Sequence, residues 1–112
     1  MTALHALTAV ELAAAYRAGS VSPVEVVRAV LARIEALEPV LHATYAVDAD
    51  AALAMARAAE ARFVRGEPLS MLDGVPVTLK DNIATRGVPV PLGSAATVLR
   101  PAVADAPPAA RL

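Results

Sequence analysis

Residues 74 to 87 read GVPVTLKDNIATRG, and Lys80 within them is the one lysine of a chain whose other nine basic residues are arginines. An amine and a guanidinium solvate a surface equally well, but only the amine can give up its proton under conditions that proteins tolerate. Held at the end of a strand, a neutral amine can serve as general base toward a hydroxyl nucleophile, which is the chemistry of serine–lysine hydrolases. The requirement is steep. A free lysine titrates at about 10.4, so a mostly neutral amine at pH 7 needs its pKa lowered by more than about 3, or about 4 kcal/mol, through burial and cationic neighbours. The ordinary alternative is a solvated cation whose stem lies over apolar neighbours.

Few other side chains offer chemistry. There is no cysteine, which removes disulfides, thiol nucleophiles and thiolate metal sites, and His5 and His42 are too few and too separate to hold a metal, so no cofactor is expected. Ten basic against eleven acidic residues leave a formal charge of −1, without the basic footprint that nucleic acid or an anionic membrane requires. No apolar run reaches the ~18 residues of a membrane span, and the N-terminus lacks the basic start of a signal peptide. A cytoplasmic protein with neither a nucleic-acid nor a membrane partner is the expectation.

The elements that must position Lys80 are read from caps and periodicity. Thr8 with Glu11 forms a capping box ahead of a short helix that Gly19 stops; Ser22, Pro23 and Glu25 form a second. Val27, Val30, Leu31, Ile34 and Leu37 then recur at helical spacing, and Pro39 is expected to end that helix. Residues 41–47 are a strand or an extended connector. A third helix is expected from Asp48 to Arg65, with Leu53, Ala56, Ala59 and Phe63 as its buried stripe and Gly66 just beyond. Seven of the nine prolines follow Gly66, and strands and loops replace helices there. Residues 74–80 alternate, with Val75, Val77 and Leu79 on one face and Pro76, Thr78 and Lys80 on the other, the period of a strand. The fold class expected is α/β, with N-terminal helices leading into the first strands of a mixed sheet. At 57% apolar but only 3% aromatic, the 112 residues have few bulky anchors for a core of their own, so part of the apolar surface is expected to meet something beyond the chain.

With these elements in place, PLSMLDGVPVTLKDNIATRGVPVPLGSAA resembles the lysine segment of the amidase signature family, and the upstream SPVEVVRAVLARIEALEPV and ALAMARAAE resemble the helices that precede it there. The resemblance implies an α/β amidase domain, of which residues 1–112 would be the N-terminal part, helical over 1–66 and carrying the lysine motif over 67–112. It implies that Lys80 is the catalytic lysine of a serine, cis-serine, lysine triad that hydrolyses amides through an acyl-enzyme. Asp81 and Asn82 match the motif as supports of the turn behind the lysine, and Gly74 and Gly93 match turn glycines. The chain departs from the family at Ser70-Met71-Leu72-Asp73, where proline or glycine with histidine is frequent, and at Val90 and Pro91, where threonines are.

The two triad serines of the family lie in and before a glycine- and serine-rich segment well downstream of the lysine, and these residues contain no such segment. Ser20, Ser22, Ser70 and Ser94 stand in no recognisable nucleophile setting. The expectation is an N-terminal fragment, inactive alone, of an enzyme acting on a small-molecule amide, with a homodimer as the assembly. Two alternatives remain at this point. One is the A subunit of a tRNA-dependent amidotransferase, which adds partner subunits. The other is a non-catalytic helical interaction module: a buried Lys80 with polar neighbours would favour the enzyme, and a fully exposed Lys80 beside an otherwise complete core would favour the module.

Overall fold

The computed structural model describes residues 2–112. After a 3-10 turn at Leu4–Ala6 come α1 (Ala9–Ala18), α2 (Pro23–Leu41), α3 (Ala49–Val64) and a single-turn α4 (Pro107–Ala110). The first three helices begin where side chains satisfy the amides that a helix start leaves open. Thr8 Oγ1 accepts from the Glu11 amide at 3.2 Å while Glu11 Oε2 accepts from the Thr8 amide at 2.7 Å. Ser22 and Glu25 repeat the exchange at 3.1 and 2.8 Å, and Asp48 Oδ1 accepts from the Ala51 amide at 2.9 Å. Two helices end alike: at Gly19 and Gly66 the backbone turns left-handed, and the next amide reaches back to Ala15 O and Arg62 O respectively, closing a Schellman motif.

Pro39 does not end α2, which runs on to Leu41. A proline in the last turn forfeits its own bond to the carbonyl four residues back and crowds that carbonyl, but the residues after it can keep helical backbone, and two do so here before the helix stops. The stop is His42, left-handed at φ 47° and donating its amide to Glu38 O at 2.9 Å. Glu38 also accepts from the Thr44 amide at 3.0 Å, which turns the chain into a connector without a strand.

The chain divides into two compact units at Pro76/Val77. In the part up to Pro76, two small apolar clusters form the core: Leu12, Tyr16 and Val26, flanked by Leu7, Val30, Phe63 and Val75; and Val24, Val27 and Ala56, flanked by Leu31 and Leu53. Val26 is wholly buried, worth about 1.5–3 kcal/mol on its own. The stripe of α3 falls as its spacing predicts, with Ala56 and Ala59 buried and Leu53 and Phe63 half-buried, and the alanines let α3 lie close to α2.

The strand expected over residues 74–80 does not form, and the described residues contain no strand at all. Alternation permits a strand, but a strand exists only where a partner takes up its amides and carbonyls. Residues 76–79 make no backbone hydrogen bond, and Pro76 has no amide to offer. The α/β expectation is therefore corrected for these residues: what stands here is helical, followed by loops. Val77–Leu112 is held by backbone bonds between two loop segments, Gly87 N to Ala102 O at 2.8 Å, Ala102 N to Val88 O at 3.0 Å and Ala106 N to Ala84 O at 2.8 Å, with isolated bridges at Arg86–Ala102 and Pro89–Pro101. None of its residues is buried.

The segment leading toward Lys80 is fastened to three helices. From α1, the Tyr16 hydroxyl donates to Gly74 O at 3.1 Å, and its ring packs 5.4 Å from that of Phe63 on α3. From α2, Pro23 lies against Gly74 so closely that a Cβ there would meet Pro23 Cγ at 2.9 Å and Tyr16 Cε2 at 3.3 Å. From α3, Arg62 grips Asp73 with both arms of its guanidinium, Nε to Oδ2 and Nη2 to Oδ1, each at 2.7 Å, and Asp73 Oδ2 also accepts from the Leu69 amide at 3.0 Å. The Arg62 hydrogen bonds hold the Asp73 carboxyl below its usual range, against the opposing effect of its burial. Burial pushes the Tyr16 phenol up to about 12, so it remains a donor at every ordinary pH.

This fastening sets the cost of disturbing residue 74. Gly74→Ala combines a left-handed φ of +79° with a clash against a ring and is expected to destabilise by about 2–4 kcal/mol, whereas Gly19→Ala, at φ +67° with open space around it, costs about 1 kcal/mol; urea denaturation measures both. It also sets a pH dependence. A carboxyl with a depressed folded pKa adds stability above its unfolded value of about 4 and loses it as pH falls through the lower folded value, while a phenol raised above about 10 adds stability below that value and loses it as pH rises toward 12. Unfolding free energy measured against pH should therefore sag at both ends. Asp73→Asn should flatten the acid limb without abolishing it, since the Glu11 carboxyl is also held low by the Thr8 amide and hydroxyl, and Tyr16→Phe should flatten the alkaline limb.

Candidate active site

Lys80 opens a turn closed by the Ile83 amide on Lys80 O at 3.0 Å. The turn suits its sequence, because Asp and Asn adopt tight backbone conformations at little cost. Lys80 and Asn82 are exposed and Asp81 is half-buried. Among the described residues the Lys80 ammonium makes neither a hydrogen bond nor an ion pair; the two ion pairs present are Arg62–Asp73 and Arg65–Glu67. The expected opposition of Lys80 to a Val75, Val77 and Leu79 face is not expressed. Val75 packs against the Leu12–Tyr16–Val26 cluster, while Val77 is 58% exposed.

All four serines serve their own backbone neighbourhood. Ser22 caps α2, the Ser20 hydroxyl donates to Ala15 O at 3.3 Å, Ser70 Oγ accepts from the Leu72 amide at 3.1 Å, and Ser94 Oγ accepts from the Ala96 amide at 3.2 Å. None of them bonds to Lys80. Among the described residues no three metal-ligating side chains converge, and no helix is long and apolar enough to cross a membrane. What this geometry offers chemically is an amine on a defined turn, in water, at the end of an unpaired loop segment.

The residues that fasten this segment, Tyr16, Arg62, Asp73 and Gly74, are only partly legible in the sequence. Asp73-Gly74 is a turn dipeptide just ahead of the alternating run, and that much of it is a local signal. Arg62 reads from sequence as a cation suited to a helix C-terminus, and its longer-range partner has no local signature. Gly74 reads as a turn glycine, but nothing near it in sequence announces the prolyl ring that lies against it.

The family model described as Amidase matches residues 25–112. Among curated proteins, the A subunit of glutamyl-tRNA(Gln) amidotransferase from Acidothermus cellulolyticus is 53% identical over 94 residues, which is 84% of this chain and 19% of the relative. The protein of the same name from Chloroflexus aurantiacus is 49% identical over 94 residues, covering 84% of this chain and 19% of the relative, and that from Myxococcus xanthus is 50% identical over 88 residues, 79% of this chain and 18% of the relative. The chain thus spans about a fifth of the length of these relatives. The family match takes in nearly all of α2, all of α3, the Asp73–Gly74 anchor and the lysine turn, and with it the chain belongs to the amidase signature family.

Proposed function

We propose that Lys80 is the proton-accepting amine of an amide-hydrolysing site, in a domain to which residues 1–66 contribute helices and residues 67–112 the lysine segment. The observation that carries this reading is the K-D-N-I motif, set on its own turn and lying inside the matched residues 25–112. In the proposed reaction a serine Oγ attacks the carbonyl carbon of a small amide while its proton passes through a second serine to the neutral Lys80 amine. The C–N bond then breaks, the leaving nitrogen takes that proton back, and water releases the acyl group from the serine in the same manner. Asp81 and Asn82 hold the turn behind the amine. Neither serine is supplied by residues 1–112, which are therefore inactive alone.

The exposure of Lys80 taken singly is what a helical interaction module requires. That module also requires a finished core, and Val77–Leu112 has no buried residue, with Val77, Leu92, Val98, Leu99 and Val103 all open to water. Covering that surface would supply the burial that a neutral amine needs. A second reading within the family is favoured by the relatives, each named as the A subunit of a glutamyl-tRNA(Gln) amidotransferase. Under it the chain works in an assembly that handles a tRNA, and a formal charge of −1 leaves contact with the nucleic acid to other parts of that assembly.

A chimera tests the proposal: residues 1–112 replace the matching segment of the Acidothermus cellulolyticus relative, which is expressed with its own partner subunits. Ammonia release from a small amide is expected from the chimera and not from residues 1–112 alone. Lys80→Arg in the chimera should lower kcat by about 10²–10⁴-fold while KM changes by less than about twofold. Turnover by the 112-residue chain, or an undiminished kcat in the Lys80→Arg chimera, overturns the proposal.

A further inference from the structure

From the way residues 102–106 strap the chain just beyond the lysine turn, we infer that Asp105 is a positioning residue for Lys80, an inference that rests on the reading of Lys80 just given. The residues concerned all lie in the unit Val77–Leu112. Residues 77–79 make no backbone hydrogen bond, so within this unit the backbone bonds that hold the lysine turn lie on its downstream side. There the Ile83 amide closes the turn on Lys80 O at 3.0 Å, and Ala84 follows at once. Such a turn keeps its end Cα atoms within about 7 Å, so the Lys80 Cα stands within about 11 Å of the Ala84 Cα. Ala84 in turn opens the strapped segment: its carbonyl accepts from the Ala106 amide at 2.8 Å, the Arg86 amide donates to Asp105 Oδ1 at 2.7 Å, the Gly87 amide donates to Ala102 O at 2.8 Å, and the Ala102 amide donates to Val88 O at 3.0 Å.

The chemistry of the strap fits a positioning role. Three of its four bonds join backbone to backbone and ask nothing of the side chains. The fourth needs an acceptor that the backbone at residue 105 does not supply, and a carboxylate supplies it in ionised form, which gives a shorter and stronger bond than a neutral oxygen does. The Ala84–Ala106 bond is the strap's last before the lysine turn, and the end of such a ladder is where it opens most readily. Asp105 sits next to Ala106, so its side chain and the neighbouring amide grip residues 86 and 84 together. One bond alone would leave the chain free to rotate about it, whereas two bonds two residues apart fix the direction in which the chain enters the turn as well as its place. The other carboxylate of the unit, Asp81, lies on the turn itself and so cannot hold the turn against the strap.

The chimera described above, with its partner subunits, decides the matter. Asp105→Ala should lower kcat by about 10- to 100-fold, read per folded molecule at a temperature below the unfolding transition, with KM within about twofold of the parent. Asp105→Asn keeps an oxygen acceptor in the same place and should hold kcat within about threefold of the parent, whereas Asp105→Glu keeps the charge but carries it one methylene further and should lose about 10-fold. A role of the charge alone predicts the opposite order, with Asp105→Glu at the parent value and Asp105→Asn impaired, and a role in stability alone leaves kcat per folded molecule at the parent value in all three. If Asp105→Ala does not fold, the order of Asp105→Asn and Asp105→Glu decides. The opposite order, parental kcat in Asp105→Glu, or Asp105→Asn falling as far as Asp105→Glu, with Lys80→Arg still impaired, overturns the positioning role and leaves the role of Lys80 standing. Parental kcat in Lys80→Arg overturns both.

Discussion

The contact on which the N-terminal part depends is the seat of Gly74 between Pro23 and the Tyr16 ring, with the Tyr16 hydroxyl on Gly74 O. It joins the first two helices to a segment far along the chain. It also imposes two demands that reinforce each other. The backbone must be left-handed at residue 74, and there must be no side chain to keep the prolyl and phenol rings apart. Tyr16 in turn can be buried only because its hydroxyl finds that carbonyl, since an unpaired phenol in an apolar cluster would lose the water it gave up. The ring's contact with Phe63 then brings α3 into the same arrangement.

The two parts of the chain rest on different physics. Up to Pro76, apolar clusters and capped helices hold the structure, with polar groups used at the ends of elements and at the Asp73 grip. Beyond it, order comes from a few backbone hydrogen bonds and two side chains, the Asp105 carboxylate accepting from the Arg86 amide at 2.7 Å and the Ser94 hydroxyl accepting from the Ala96 amide at 3.2 Å, with no buried residue. Hydrogen bonds that face water add little net stability each, so such a segment takes its firmness from whatever it is packed against. The lysine turn belongs to this second kind of structure.

This contrast explains what can be read from sequence. Both capping boxes, the left-handed stops at Gly19 and Gly66 and the buried stripe of α3 are legible because each is settled within about four residues of chain. The end of α2 falls two residues beyond its expected place, because Pro39 announces a break while the stop is made by the backbone of His42, whose side chain carries no such signal. The strand expected at 74–80 fails for a different reason. Its alternation states a capacity to pair, and pairing depends on a neighbour that periodicity cannot supply. At the lysine, the motif Lys80-Asp81-Asn82 is visible at once, whereas Arg62 and Tyr16 act across 11 and 58 residues of chain and leave no local trace.

The short reach of the Arg62–Asp73 pair has a consequence for chain entropy. Closing a loop costs about (3/2)RT ln n, so joining Tyr16 to Gly74 directly, across 58 residues, costs about 1.5 kcal/mol more than joining Arg62 to Asp73 across 11. With α2 and α3 packed, the ion pair holds residue 74 beside the helices at the lower entropic cost, so the bond from the Tyr16 hydroxyl to Gly74 O closes a shorter effective loop than its 58 residues of separation imply.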